Sequence, residues 1–461
     1  MSGFIPLVSV CTPNSALLEQ IWITYVIIIE TRCEVMKSCK KYLPLLLVAA
    51  IMLNTIGCSN VLPGGVRAQA ADLMSGISPN RVSGKEADAN FIGSMAEFSI
   101  ELFKKSITDK ENSLVSPLSV TLALAMTANG ADNNTLSQME RLLGGDIPLS
   151  ELNEYLYSYA KGLTNEEKSR LEIANSIWFR DGEDSSGYLF IEDEFLQKNA
   201  DYYGASAFKS AFDSQTITDI NNWVKTNTDG MIDRILDEIT DELLLVLLNA
   251  IMFDAEWQSV YFKENVRNGE FTDIGGVVRN VDFMHSTENR YLDDGMATGF
   301  IKPYSGGAYS FAALLPNEGV SIEDYIDSLT GEGFLETISG AHRAIVNASM
   351  PKYEYEYEIE LNDALIALGI PDAFGMYIAD FSKMGMWGEN SLYISQVLHK
   401  TFISVDELGT KAGAVTMVAI APGSAANPEE PKVVRLDRPF VYAIIDNATN
   451  LPIFIGTLMT V

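Results

Sequence analysis

Apolar positions set out the architecture before any composition is counted. Phe91, Met95, Phe98 and Leu102 recur at helical spacing behind Asp88 or Asn90, either of which can cap a helix. A second helical run, Val115 to Ala131, opens with Ser116-Pro117, and proline suits a first helical turn. Leu243 to Phe253 is almost continuously apolar, the pattern of a strand buried on both faces. From Lys352 to Glu360 the pattern alternates, placing tyrosines and Ile359 on one face and glutamates on the other. Asn362 then caps a helix through Leu365 and Leu368 that stops at Gly369. Phe440 to Ile445 and Ile453 to Leu458 read as a terminal hairpin. The expectation is a single α+β domain from residue 88 to 461, helix-rich in its first half, around a large antiparallel sheet.

One stretch breaks this pattern. After the strand-like Val397 to Val405, the chain from Glu407 to Pro431 begins too small and apolar for a solvated loop and ends in loop composition. Thr410, Ala412, Ala414, Thr416, Val418 and Ile420 fall on one face of an extended chain, all uncharged and mostly small or β-branched. Loops of this length are usually functional or disordered. The segment reads as a loop whose first half is able to join a sheet.

Composition then narrows the chemistry. With 47% apolar residues and 10% aromatics the chain buries a substantial core, and its net charge of −30 repels nucleic acid and anionic lipid. All four cysteines (Cys11, Cys33, Cys39 and Cys58) precede the domain, so it has no disulfide and no thiolate metal site. His285, His342 and His399 are the whole histidine supply, and no HExxH, CxxC, Walker loop, GxGxxG or GxSxG motif is present. A hydrolase therefore lacks a nucleophile–histidine pair in any motif context. No cofactor and no metal is implied. No run of Lys or Arg suggests a heparin-like activator either.

The N-terminus reads as targeting. Residues 1–35 are expected to precede the true start at Met36, and 36–57 form a signal peptide with a basic start and a short apolar run. Thr55-Ile56-Gly57-Cys58 resembles a bacterial lipobox, so Cys58 is the expected lipid attachment site, although Thr departs from the usual Leu. Residues 58–87 lack an apolar period and read as a flexible tether. The protein is expected at the cell surface or outside the cell, touching membrane only through its lipid.

From residue 88 onward the chain resembles the serpins. The resemblance rests on Asn112-Ser-Leu-Val-Ser-Pro117, Ala174-Asn-Ser-Ile-Trp178, Ile220-Asn-Asn-Trp223 and Leu248-Asn-Ala-Ile-Met-Phe253 with Trp257 and Phe262. Met350-Pro-Lys-Tyr353, Leu368-Gly-Ile370, Arg438-Pro-Phe440 and Phe454-Ile-Gly456 extend it to the C-terminus. It implies the serpin fold: a large main sheet, smaller sheets, surrounding helices and an exposed reactive loop at about 407–431.

The implied function is suicide-substrate inhibition of a serine endopeptidase by a monomer. The enzyme is acylated at the bait, and the cleaved loop enters the main sheet as a new strand, trapping it as a covalent acyl complex. The hinge would comprise Glu407, Gly409, Thr410, Ala412, Ala414 and Thr416; Gly413 and Val415 depart from the family's alanines. Ser116, Ser119, Asn249 and His399 match the cluster where the sheet parts, making His399 a structural group and not a base. Trp257, Lys352 and Glu407 match the loop base, with a Glu407–Lys352 ion pair as a latch. Counting from Glu407 by the family's usual loop length places the scissile bond at Gly423–Ser424, with Met417, Ile420 and Ala421 as alternatives. No Lys or Arg occurs between Lys411 and Lys432, so an elastase- or subtilisin-like target is expected over a trypsin-like one. Inhibition of papain-like cysteine proteases, or a non-inhibitory carrier role, are the alternatives.

Overall fold

The first long helix begins where the capping argument places it. Asp88 accepts hydrogen bonds from the backbone of Asn90 and Phe91, and α1 (Ala89–Lys105) buries Phe91, Met95, Phe98 and Leu102. Ser116 caps α2 (Pro117–Ala128), which is buried on every side, the character of a helix at a domain's centre. The structure, a computed structural model, describes residues 70–461 except 109, 164, 182–187, 241 and 411–429. Cys58, the hinge residues Ala412, Ala414 and Thr416, and every candidate scissile residue therefore lie outside the described residues.

Seven strands make the main sheet: β1 (Ala71–Asp72), β2 (Ser169–Arg180), β3 (Ser206–Ser210), β4 (Leu245–Glu256), β5 (Tyr353–Glu360), β6 (Gln396–Val405) and β7 (Gly409–Thr410). Their order is β1-β3-β2-β4-β7-β6-β5. Pairing is antiparallel except at two places, β2 with β3 and β4 with β6. The apolar run at 243–253 is strand β4, buried along nearly its whole length, and the alternating glutamates of β5 are exposed.

A second sheet of nine strands holds the terminal hairpin, Phe440–Asp446 with Pro452–Leu458, next to Ser113–Val115 and Tyr309–Pro316. Its other end is built from Val266–Thr272, Val278–Asp293, His342–Pro351 and Lys432–Arg435. Most buried apolar side chains belong to one continuous cluster shared by the sheets and helices.

Two local expectations change. Asn362 is the first residue of its helix and not the cap; its amide accepts from the backbone of Val397 and donates to that of Ser395, tying the helix to β6. The tether stretch is also laid along the body from Ala70 onward. β1 pairs with β3, Leu73, Met74 and Ile77 pack on the core, and the Lys85 amide donates to the Glu154 carbonyl. Backbone pairing and isolated anchors hold it, and neither produces an apolar period.

Candidate functional site: the seam of the main sheet

β4 and β6 are parallel neighbours, and their seam differs from one end to the other. Over Gln396–Lys400 the strands pair directly with Val246–Ala250. Here Asn175 of β2, Asn249 of β4 and His399 of β6 stand in one cross-strand row. The row is hydrogen-bonded throughout. The Ser116 amide donates to His399 Nε2 at 3.1 Å, His399 Nδ1 pairs with Asn249 Oδ1 at 2.8 Å, and Asn249 Nδ2 donates to Asn175 Oδ1 at 2.7 Å. A backbone donor at Nε2 makes that nitrogen the acceptor and places the proton on Nδ1. Full burial pushes the His399 pKa down to about 3, so the ring is neutral at physiological pH.

Of the four residues expected in this cluster, three are connected. Ser116 also donates through Oγ to the Ile453 carbonyl at 2.8 Å. Ser119 contributes its backbone amide to the Ser116 cap, but its buried Oγ has no hydrogen-bond partner among the described residues. The missing fourth member is Asn175. It lies inside the Ala174-Asn175-Ser176 motif, and its register with Asn249 is a property of the sheet that spacing along one chain does not show.

At the other end the strands part and β7 wedges between them. Gly409 and Thr410 pair antiparallel with Glu256 and Ala255 of β4, and Thr410 pairs antiparallel with Val405 of β6. A Cβ on Gly409 would lie 2.0 Å from the Ala255 carbonyl oxygen, so only glycine permits this approach. The turn before it is closed by Asp406, whose carboxylate accepts from the amides of Leu408 and Gly409.

Trp257 anchors that turn, donating from its backbone to the Leu408 carbonyl at 2.8 Å and from Nε1 to the Asp406 carbonyl at 2.9 Å. The Tyr261 amide donates to the Glu407 carbonyl at 2.9 Å. Lys352 and Glu407 form an ion pair at 2.8 Å. Burial disfavours the Glu407 carboxylate, but the Lys352 ammonium outweighs it and leaves the pKa below its usual value. Tyr304 stacks on Trp257 with ring centroids 4.5 Å apart, and its hydroxyl meets Thr410 Oγ1 at 2.5 Å. Thr410, expected at the head of the hinge, is thus already buried.

Beneath Trp257 lies a charge pair that the sequence did not single out. Lys302 and Glu288 are 2.9 Å apart with side chains 2% and 9% exposed. The ammonium also donates to the Ser259 carbonyl and faces the Tyr261 ring at 4.4 Å. Burial works against this ammonium, yet Tyr261 and Glu288 together keep the Lys302 pKa raised. The only sequence signal is a lysine in a mostly apolar strand, Ala297–Pro303.

The comparisons with known proteins agree with this architecture. The family profile described as serpin, serine protease inhibitor, matches residues 93–461. The chain belongs to the serpin family. The thermophilic serpin tengpin in its native state is 56% identical, with a TM-score of 0.81 over 86% of this chain and 100% of that one. Tengpin in its latent state gives 52% identity and a TM-score of 0.72 over 82% and 100%. A serpin-like protein of Thermococcus kodakarensis is 30% identical over 379 residues, which is 80% of this chain and 85% of that protein. The general function that follows is protease inhibition of the serpin kind. In this serpin, among the described residues, no group of three or more His, Cys, Asp or Glu side chains could hold a metal ion.

Proposed function

We propose that this serpin is a suicide-substrate inhibitor of elastase- or subtilisin-like serine endopeptidases. The observation that carries the reading is the orientation at the seam. β4 and β6 are parallel, whereas β7 is antiparallel to both. A strand continuing from Thr410 would replace one parallel ladder with two antiparallel ones, the slightly more stable pairing. The sequence beyond Thr410 offers no charge to the inward face as far as Ile420, so entry would bury no unpaired ion.

On this reading the Ser116–His399–Asn249–Asn175 row is where the sheet parts, and the Trp257, Lys352 and Glu407 contacts hold the loop's base until cleavage. Gly423–Ser424 is the proposed scissile bond, and Cys58 the proposed lipid anchor of an exported form.

The test is to mix residues 58–461 with a pancreatic-type elastase, with subtilisin and with papain, followed by denaturing gels and intact mass. A denaturant-stable complex with elastase or subtilisin, plus a released C-terminal peptide, is expected, and the peptide mass fixes the bond. A complex with papain alone would move the target to cysteine proteases. Cleavage by all three without a complex would leave a non-inhibitory serpin. Ala412→Arg should convert inhibition into plain cleavage, because the first inward side chain to enter beyond the already paired Thr410 would carry a charge into the sheet.

A further inference from the structure

The domain is strongly acidic, yet one face of it is not. The four strands Val266–Thr272, Val278–Asp293, His342–Pro351 and Lys432–Arg435 carry six Lys or Arg residues against four acids. One of those acids, Glu288, is buried against Lys302. Register places the bases together. His285 pairs with Ser349, which pairs with Arg435, so these three form one row across three strands. Arg267 pairs with Phe283, two residues from His285 and therefore on the same face.

Arg435 lies over the Phe283 ring with its guanidinium carbon 5.5 Å from the centroid. Arg267 and Arg435 are exposed, with half-buried His285 beside them. Burial, and then both guanidiniums, lower the His285 pKa. Arg435 shares a solvent-exposed ion pair with Asp437 at 3.3 Å, whereas Arg267 meets no carboxylate among the described residues. Val433, 73% exposed, stands on the same face one alternation along from Arg435. These bases are separated by up to 168 positions in the chain, so no basic run announces them.

We propose that this face is a docking surface for the target protease, and that it selects enzymes with acidic side chains flanking the active-site cleft. The inference rests on the inhibitory reading above and deepens it. Lys432–Arg435 is the first strand after the loop, so an enzyme holding the bait stands over its near end. A protease of about 250 residues has a radius of gyration of about 18 Å, wide enough to cover all four strands. Exposed charges of this kind act on encounter more than on final affinity. On a chain of net charge −30, such a patch can attract an acidic rim that the chain as a whole repels.

The experiment compares the association rate constant of the parent chain and of Arg267→Glu/Arg435→Glu with an elastase- or subtilisin-like enzyme of acidic rim, from low to high salt. The variant should associate about tenfold more slowly at low salt and lose the parent's fall of rate with ionic strength, with stoichiometry and cleavage site unchanged. Arg267→Gln/Arg435→Gln should lie between, and matching melting temperatures establish that all three are folded. Equal rates and equal salt slopes would overturn the docking surface while the covalent complex kept the inhibitory reading intact. Acceleration by added heparin through the same arginines would also overturn it, since a polyanion and not the enzyme would then be the partner. No covalent complex from the parent chain with any protease would end the inhibitory reading, and the docking surface with it.

Discussion

The two ends of the β4–β6 seam are held by opposite chemistry. The closed end is a neutral row, buried at Ser116, Asn249 and His399 and half-buried at Asn175, in which each amide or imidazole satisfies its neighbour. The wedge end uses charge and aromatic rings: the Lys302–Glu288 pair under Trp257 and the Glu407–Lys352 pair beside it. A neutral hydrogen bond contributes about 1 kcal/mol net, but leaving its buried partners unpaired costs about 1–3 kcal/mol each. On the proposed reading, in which the sheet parts at this row, the closed end resists partial opening and opens all at once. The wedge end fixes backbone position, because Trp257 and Tyr261 hold the carbonyls of Asp406, Leu408 and Glu407 while their rings rest on Lys302.

The contrast breaks most visibly at the buried ions. Lys302→Met strands the Glu288 carboxylate in the core and should cost about 3–5 kcal/mol of stability, read by denaturant unfolding. Lys302→Met combined with Glu288→Leu removes both charges and should recover most of that loss. A double variant as unstable as the single one would mean that packing around Trp257, and not the charge, sets the cost.

The closed end should answer to pH instead. His399 has a folded pKa of about 3, below its unfolded value near 6.5, so the unfolded chain takes up the proton first. Its contribution is fully present above pH 6.5 and is lost as pH falls, amounting to about 2 kcal/mol by pH 5. His399→Gln should flatten this part of the stability profile, whatever it costs at pH 7. An unchanged acid slope in the variant would assign the loss to other groups.

What the sequence revealed, and what it withheld, follows the same division. Period and capping residues identified α1, α2, β4, β5, β6 and the terminal hairpin, because each is a local property of side-chain order. Motif matches supplied Ser116, Asn249, His399, Trp257, Lys352 and Glu407 as a set. Asn175 escaped as a member of the row because cross-strand register links residues 74 positions apart. Ser119 joins the cluster through its backbone amide and not its hydroxyl, since motif membership says nothing of where a hydroxyl finds a partner. Lys302 and Glu288 were missed because a buried ion pair looks like any two charges until both are enclosed. The stretch from Ala70 to Ala87 was read as free for the opposite reason: it is anchored by strand pairing and a few contacts, without a stripe.

The smallest effect tests whether the exposed latch shares in the wedge end's rigidity. Glu407 and Lys352 are each about one-third exposed, so water and salt screen the pair to about 0–1 kcal/mol. Because the folded pKa of Glu407 is lowered, its contribution is present above the ordinary carboxylate range and fades as pH falls through the lowered value. Glu407→Gln should therefore lower stability by less than 1 kcal/mol at pH 7, and by still less in 1 M salt. Its kinetic signature should be small as well, since the turn it belongs to keeps its backbone bonds to Trp257 and Tyr261 without the charge. Amide exchange at Leu408 and Gly409 should quicken only slightly in the variant. Exchange as fast as in a freely solvated turn would mean that the ion pair, and not the two aromatic anchors, positions the loop's base.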